Sequence, residues 1–310
     1  MELYQLRGFV AVAELGHLTR AAERLHLSQP ALSAQIKALE DELGLQLFER
    51  NPAGMALTAA GKRLLPEATK ILDDAAALHG KARAIQGEVA GHVRVGTLAD
   101  PEFIRLAQFL AIATERFPLI EIELHHTVSG AAFEKVRDGA LDASFYYGDL
   151  THPAVVAIPL REFAYRLAGP AAWRDRIAGA PWEAIVSLPW IMAPAISTHR
   201  VLATALFAER GSAPSTLIEA DNEFVIRSLV ASELGVALVR EDLAREGETA
   251  GELVVWGDAR LATTLRFIYS AQKREEPELR ALVGIIGDVW HDTIAPRGTA
   301  PGSSRRMRQR

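Results

Sequence analysis

The chain has 310 residues, of which 49% are hydrophobic and 24% charged, and a formal net charge of −5, a balance that predicts two or three domains with ordinary packed cores. It contains no cysteine, which excludes a disulfide framework, thiolate zinc sites and cysteine nucleophiles. The N-terminus lacks a basic segment followed by an apolar run, and no apolar run approaches the ~18 residues of a membrane helix, so we expect a soluble, cytoplasmic protein.

Two short helices open the chain. The first carries an apolar stripe at helical spacing, made of Leu3, Leu6, Phe9, Val10 and Ala13. At the start of the second, the Thr19 hydroxyl can accept a hydrogen bond from an otherwise unpaired backbone N–H. Its inner face is Ala21, Ala22 and Leu25. These stripes predict a helical core shared with a third helix.

The third helix has clear start and stop signals. After a tight turn at His26 and Leu27, Ser28 can cap the helix. Pro30 fits the first turn, where its missing N–H costs little. Gly44 suits a left-handed stop. The apolar stripe between these ends is Leu32, Ile36, Leu39 and Leu43.

The opposite face of this third helix is polar near its N-terminus. Gln29, Ser33 and Lys37 lie four residues apart and project together, and Pro30 and Ala34 beside them are small enough for close approach to a duplex. A helix that enters the major groove needs short polar side chains in its first turns. The alternative is an ordinary polar face of a surface helix. The net charge of this region does not distinguish between the two interpretations, because residues 1–63 hold seven basic and seven acidic side chains.

A continuous set of residues in this region carries a family resemblance. It comprises Ala21-Ala22-Glu23-Arg24-Leu25, Ser28-Gln29-Pro30-Ala31-Leu32-Ser33, Gln35-Ile36-Lys37, Leu39-Glu40, Leu43-Gly44, Leu47-Phe48-Glu49-Arg50, Leu57-Thr58 and Gly61. On these residues the chain resembles the LysR-type transcriptional regulators. The resemblance implies a winged helix-turn-helix DNA-binding domain, a long linker helix and a two-lobed effector domain. Ala34 departs from the family pattern, where a longer polar side chain is frequent, which puts one DNA contact in doubt.

A β-wing follows the third helix. Two short strands, residues 47–50 and 55–58, flank the turn residues Asn51-Pro52-Ala53-Gly54. We expect Arg50 to contact a phosphate or the minor groove, and the alternative is a solvated side chain. The predicted DNA-binding residues are Thr19, Arg20, Ser28, Gln29, Pro30, Ser33, Ala34, Lys37 and Arg50.

A long helix is predicted from residue 59 to about 86. Its large aliphatic residues recur every seven positions with alanines between them, as in a close-packed helix pair. The resemblance implies that this helix pairs two chains, and the alternative is packing against the protein's own core. The predicted dimerisation residues are Leu64, Ala68, Ile71, Ala75, Leu78, Ala82 and Ile85.

From residue 92 onward strands and helices alternate, which implies parallel βαβ units. The predicted strands are 92–97, 120–127, 141–147, 163–168, 190–193, 216–220, 236–239 and 264–270. The predicted helices are 101–117, 129–138, 198–210, 223–234 and 275–290. Two α/β lobes joined by crossings near residues 160 and 264 would resemble a periplasmic binding protein, and the LysR family has such an effector domain.

The predicted domain boundaries follow from these elements. The winged helix-turn-helix covers residues 1–58, the linker helix 59–87 and the effector domain 88–291. Lobe 1 comprises about 88–160 and 265–291, and lobe 2 about 161–264. Residues 292–310, rich in Gly, Pro, Ser and Arg, are predicted to be a disordered basic tail. A solvated tail is favoured over one with non-specific attraction to DNA.

The effector site is predicted from a general rule for open α/β sheets, whose ligands bind beyond the carboxyl ends of the strands. This rule selects Thr97, Leu98, Ala99, Asp100, Thr127, Val128, Ser129, Gly130, Tyr146, Tyr147, Gly148, Ile196, Ser197, Thr198, His199, Asp221, Asn222 and Glu223. Hydroxyls and N–H groups at several helix starts favour an anion such as a small carboxylate, and the tyrosines favour an aromatic or extended apolar body. Asp100 and Glu223 argue against an anion if they face the cleft, and Ser129 and Thr198 can instead be N-caps.

The resemblance also implies the partners. They are double-stranded DNA with an imperfect palindrome, a small-molecule effector and further copies of the chain in a homodimer or homotetramer, with RNA polymerase as another candidate. No catalytic residue, metal site or cofactor is predicted. His125 and His126 point to opposite faces of a strand, and no H-E-x-x-H, G-x-S-x-G or G-x-G-x-x-G stands in a suitable context. The remaining alternative is a small-molecule binding protein without a transcriptional role.

Overall fold

The computed structural model describes residues 1–51, 54–85, 88–215 and 217–294. The chain divides into two compact units, unit 1 (Met1–His92) and unit 2 (Val93–Arg310). Most of the predicted tail, residues 295–310, lies outside the described residues, as do Pro52 and Ala53 of the wing. Across the described part of the chain, no helix combines the length and the apolar composition needed to cross a membrane.

Unit 1 contains the predicted helix-turn-helix and wing. Its elements are α1 (Leu3–Leu15), α2 (Leu18–Arg24), α3 (Gln29–Leu43), the antiparallel strands β1 (Phe48–Asn51) and β2 (Gly54–Leu57), and α4 (Ala59–Ile85). The start and stop signals of α3 act as expected. Ser28 Oγ accepts from the backbone N–H of Ala31 at 3.3 Å. His26 turns with a φ of 54°, and Gly44 ends the helix with a φ of 66°.

Some residues of the predicted apolar stripes lie outside the core of unit 1. Its buried aliphatic and aromatic residues include Leu6, Phe9, Val12, Leu32, Ile36 and Leu39. Leu3 and Leu43 stand at helix ends, where they are 42% and 39% exposed. The prediction that Thr19 caps α2 is wrong, because the helix starts at Leu18 and His17 holds the cap position.

Unit 2 is an α/β structure. From β3 onward the strands are β3 (Ala90–Thr97), β4 (Leu119–His126), β5 (Ala143–Tyr147), β6 (Val155–Pro170), β7 (Trp190–Met192), β8 (Leu217–Glu219), β9 (Ala237–Arg240) and β10 (Leu253–Ser270). The helices are α5 (Leu106–Arg116), α6 (Ser129–Arg137), α7 (Arg174–Ile177), α8 (Trp182–Val186), α9 (Thr198–Arg210), α10 (Glu223–Ala231), α11 (Glu241–Thr249) and α12 (Pro277–Ile294), with a 3₁₀ turn at Ala171–Trp173.

The two predicted crossings are β6 and β10. They pair antiparallel from Val155 and Ser270 at one end to Pro170 and Leu253 at the other. Each is much longer than predicted, because one continuous strand serves both lobes. The described strands form a six-stranded sheet of order β4-β3-β5-β10-β6-β9 and a two-stranded parallel sheet of β7 and β8. The large sheet is therefore mixed: β3 and β5 are parallel, whereas β10 runs antiparallel to both of its neighbours.

Two lobes lie at the two ends of the β6–β10 pair. Lobe 1 holds β3, β4 and β5 with α5, α6 and α12, and lobe 2 holds β7, β8 and β9 with α7 to α11. Three predictions for these lobes are corrected. The helix predicted from 101 starts only at Leu106, after turns that end in the left-handed Arg105. The sequence did not predict α11, and α12 continues to Ile294, into the segment predicted as tail.

A buried carboxylate fixes the sheet of lobe 1. Asp142 accepts hydrogen bonds from the backbone N–H of Arg94 at 2.7 Å, from Arg94 Nε at 3.2 Å and from Lys273 Nζ at 2.7 Å. Burial by itself disfavours the charged carboxylate. The two cations outweigh that cost, so the pKa of Asp142 lies below its usual value. This charged cluster therefore stabilises the folded state only while Asp142 is ionised.

We expect Asp142→Asn to lower the free energy of unfolding of unit 2 by about 1.5–3 kcal/mol at pH 7, because hydrogen bonds to a charged group are lost. A carboxylate with a lowered pKa contributes its stability above its unfolded pKa and loses it as the pH falls below about 4. The difference between variant and wild type should therefore shrink in acid. Urea unfolding followed by tryptophan fluorescence measures it, since all five tryptophans lie in unit 2.

The matched control is Asp149→Asn. Asp149 pairs with Arg266 at 2.6 Å, but its side chain is 91% exposed, so its loss should cost at most ~1 kcal/mol. Equal losses for the two variants, or a constant Asp142→Asn effect from pH 7 to pH 3, would contradict the assignment.

Candidate functional site

The polar face of α3 is open to solvent in unit 1. Gln29 and Lys37 are exposed and Ser33 is half-buried, while Leu32 and Ile36 on the other side of the helix are buried. The Ser28 cap holds the first turn, so the three polar side chains are presented from a fixed helix start. This arrangement is what insertion of a helix into the major groove requires.

Two surface depressions flank this face. Thr19, Arg20 and Gln29 line one of them, and Ser33 and Lys37 line the other. Of the remaining predicted DNA-binding residues, Ser28, Pro30 and Ala34 are exposed on α3 or at its cap. The side chain of Arg50 lies outside the described residues. The DNA-binding role of each of these residues stays a prediction.

Glu40 ties the wing to α3. Its Oε1 accepts the backbone N–H of Leu47 at 2.7 Å and of Phe48 at 3.2 Å, at the entry to β1. On the other side, the backbone N–H of Met55 donates to the carbonyl oxygen of Gly16 at 2.7 Å. Sequence reasoning missed the Glu40 contacts, because a carboxylate that binds backbone N–H groups seven and eight residues away has no periodic signature.

The predicted dimerisation stripe on α4 divides in two. Ala68 is 4% exposed, and both Leu64 and Ala68 pack in the core of their own unit, as the alternative interpretation required. Ile71 and Leu78 are 38% and 69% exposed. Ala75 is half-buried and Ala82 exposed, and the side chain of Ile85 lies outside the described residues. The surface left for a partner is therefore the C-terminal part of the stripe.

Unit 2 has a small cavity between its lobes, which we call the interlobe cavity. Its volume is about 50 Å³, room for only a few groups of water size at roughly 10–15 Å³ each. Predicted residues that line it are Leu98, Ala99, Thr127, Val128, Ser129, Tyr147, Ser197, Thr198, His199, Asp221 and Glu223. The rule that ligands lie beyond strand ends thus selected residues that the fold brings together from both lobes.

Seven predicted effector residues do not line this cavity: Thr97, Asp100, Gly130, Tyr146, Gly148, Ile196 and Asn222. Tyr146 faces the packed side of the sheet in lobe 1, next to Val136 and Leu141. The sequence prediction omitted four lining residues, namely His126, Tyr165, Ala193 and Ile226. Tyr165 lies in the part of β6 that serves lobe 2, and no strand-end rule could find a residue in mid-strand.

The two lobes are in direct contact beside the cavity. The Thr198 hydroxyl of lobe 2 donates to the carbonyl oxygen of Tyr147 in lobe 1. Gly130 at the start of α6 lies against the backbone carbonyl of Ile196, so closely that a Cβ at this position would overlap it. The structure is thus a closed form of the cleft, and glycine at position 130 permits the closure.

Arg240 joins the lobes electrostatically at the edge of the cavity. Its guanidinium lies 2.6 Å from Asp100 in lobe 1, and 3.0 Å from Glu223 and 2.7 Å from Asp242 in lobe 2. It also stacks 3.8 Å above the ring of Phe103. The side chain of Arg240 is only 2% exposed. Sequence reasoning placed Asp100 in the effector site, whereas the structure uses it as an internal partner for this cation.

The groups around Arg240 have shifted pKa values. Burial by itself lowers the pKa of Arg240, but its carboxylate partners reverse the effect and raise it. Burial raises the pKa of Glu223, which accepts hydrogen bonds from Arg240 and from the Tyr165 hydroxyl. Burial lowers the pKa of His199, so this imidazole is neutral near pH 7. The cation of this cluster is therefore permanently charged and fully paired.

Two family models match the chain. One is described as "Bacterial regulatory helix-turn-helix protein, lysR family" and matches residues 3–62, and the other as "LysR substrate binding domain" and matches residues 86–290. Together they cover most of the chain and correspond to the two regions whose geometry is described above.

Individual relatives agree with these matches. The Hca operon transcriptional activator HcaR of Escherichia coli is 31% identical over 300 residues, which cover 92% of this chain and 97% of HcaR. The HTH-type transcriptional regulator IlvR of Caulobacter vibrioides is 30% identical over 313 residues, covering 96% and 100%. A structure of a full-length OxyR variant from Pseudomonas aeruginosa matches with a TM-score of 0.63 at 26% identity, covering 93% of this chain and 94% of that one. Both curated relatives regulate transcription.

We expect Arg240→Met to destabilise unit 2 by about 3–5 kcal/mol, because it leaves Asp100, Glu223 and Asp242 close together without their cation. The control is Arg260→Met. Arg260 pairs with Glu241 at 3.0 Å but is 52% exposed, so its loss should cost at most ~1 kcal/mol. Urea unfolding followed by tryptophan fluorescence compares the two. Similar losses for both variants would show that Arg240 is not the electrostatic link between the lobes.

Proposed function

The chain belongs to the LysR family of bacterial helix-turn-helix transcriptional regulators, and we propose that α3 reads its operator while a small molecule in the interlobe cavity controls the regulator. The observation that supports this assignment best is the capped α3, with Gln29, Ser33 and Lys37 on its open face, inside the region that matches the helix-turn-helix model. The relatives argue against a binding protein without a transcriptional role.

The proposed division of labour on DNA follows from side-chain chemistry. The amide of Gln29 and the hydroxyl of Ser33 can hydrogen-bond to base edges, so they read sequence. The positively charged side chains bind the DNA phosphates, and these are Arg20, Lys37 and Arg50. Because Ala34 has no polar group, specificity rests on fewer side chains than the family pattern offers. Glu40 fixes the wing against α3 and so sets the spacing between base and phosphate contacts.

Control by a ligand follows from linkage. A molecule that binds the closed and open clefts with different affinity shifts the population between them. In an oligomer, that shift can change how two copies of α3 engage an operator with two-fold symmetry. We propose an imperfect palindrome as the operator, a homodimer or homotetramer as the active form, and the cytoplasm as the site of action. We assign the protein no catalytic role.

The first test concerns the reading face. Gln29→Ala and Ser33→Ala should each weaken binding to the specific operator by ~1–3 kcal/mol and leave non-specific binding unchanged, because each removes a base-edge hydrogen bond. The measurement is a gel-shift titration against DNA from upstream of the protein's own gene, with scrambled DNA in parallel. Lys70→Ala, an exposed change on α4, is the control. If both alanine variants kept the wild-type preference for the operator over scrambled DNA, Gln29 and Ser33 would not be the residues that read the bases.

The second test concerns the partner surface of α4. Leu78 is 69% exposed, and an ammonium at this position would be buried without a partner in a packed helix pair, which is strongly unfavourable. Leu78→Lys should therefore at least halve the mass measured by light scattering after size exclusion. Leu45→Lys, at a 47% exposed leucine outside the stripe, should leave the mass unchanged. A Leu78→Lys protein of wild-type mass would place the interface elsewhere.

A further inference from the structure

The charges around the interlobe cavity bear on the class of ligand, given the proposed role of this cavity as the effector site. Two carboxylates line it, those of Asp221 and Glu223. In the described part of the chain, no lysine or arginine lines it. The cation nearest to Glu223, Arg240, is 2% exposed and already paired with carboxylates. An incoming carboxylate would thus meet the charge of Asp221, a Glu223 carboxylate that is already bound to Arg240 and Tyr165, and no free cation.

The hydroxyl groups at the helix starts, which suggested an anion from the sequence, each make a hydrogen bond within the protein. Thr198 donates its proton to the carbonyl oxygen of Tyr147. Ser129 Oγ accepts the backbone N–H of Tyr147 at 2.9 Å, and Ser197 Oγ caps α9 by accepting the N–H of Arg200 at 3.2 Å. These bonds hold the lobes and the helices together. Thr198 therefore has no proton to offer a carboxylate, whereas Ser129 and Ser197 are bound through their oxygens only.

A buried acceptor in the lining lacks a donor. His199 Nε2 lies 2.8 Å from the carbonyl oxygen of Leu238, so this nitrogen carries the proton and donates it. The other ring nitrogen, Nδ1, then holds a lone pair. It is buried and has no hydrogen-bond partner among the described residues. An unpaired buried acceptor is costly, and a ligand N–H within reach would satisfy it.

From these observations we infer that the interlobe cavity binds a small cationic ligand, a primary amine or similar N–H donor, rather than a carboxylate. The ammonium lies beside the carboxylates of Asp221 and Glu223, and one of its N–H groups donates to His199 Nδ1, the buried acceptor that has no donor. The apolar part of the ligand contacts Ile226 and Ala193, which also line the cavity. With a volume of about 50 Å³, the closed cavity admits only a few non-hydrogen atoms.

The test uses a pair of probes that differ only in charge. Propylammonium chloride and sodium propionate are added to the full chain at pH 7 and equal ionic strength, and thermal unfolding of unit 2 is followed by tryptophan fluorescence. A ligand that binds the folded state raises the midpoint in proportion to its affinity. We expect propylammonium, and not propionate, to raise the midpoint.

Variants locate the binding. Asp221→Asn removes one charge from the exposed end of the lining and should weaken the affinity for propylammonium about tenfold, because charged hydrogen bonds are the stronger ones. Glu209→Gln, an exposed carboxylate on α9, is the control and should change nothing. A midpoint shift that is equal in Asp221→Asn and wild type would mean binding elsewhere and would overturn the proposal.

The remaining outcomes are also decisive. Stabilisation by propionate alone, or by neither probe, overturns the cationic class. Stabilisation by propionate that is sensitive to a cavity variant such as Ile226→Trp would still leave the cavity as the effector site. Operator binding, measured on the same preparation by gel shift, reports separately on the regulatory function, so failure of one inference does not conceal failure of the other.

Discussion

The antiparallel pairing of β6 with β10 is the constraint on which unit 2 depends. Two strands of 16 and 18 residues run side by side through both lobes, so neither lobe can move without bending this ladder. The ladder is irregular at two places, where its register shifts between Val255 and Arg260 and between Leu265 and Arg266. A register shift of this kind bends a strand locally.

Three contacts hold the two lobes together beside the cavity. They are the backbone contact at Gly130, the Thr198 hydrogen bond and the Arg240–Asp100 pair. The buried pair contributes more to the choice of geometry than to net stability, because desolvation of both charges offsets much of their attraction. A ligand that binds this closed arrangement better than an open one increases its population, and a ligand that binds the open one better decreases it.

The DNA-binding unit is built on a different principle. There the polar contacts are short in sequence, such as the Ser28 cap on α3, and the hydrophobic core comes from helical stripes. Contacts between residues farther apart in the chain also occur, such as those of Glu40 with the entry to the wing and of Met55 with Gly16. A rigid unit with an open polar face suits a reader of DNA, because the energy of base contacts is not spent on ordering the protein.

The sequence by itself determined the family, the helix-turn-helix with its caps and stops, and most strand-end residues of the cavity, because these features arise from local hydrogen bonds and from the period of the apolar residues. It could not show that Leu64 and Ala68 pack in their own core, since the same stripe serves a core or a partner. Only the tertiary structure decided the charge of the cavity. Arg240 and Asp100 are 140 residues apart, and whether a carboxylate faces a ligand or an internal arginine depends on long-range packing, which leaves no pattern in the chain.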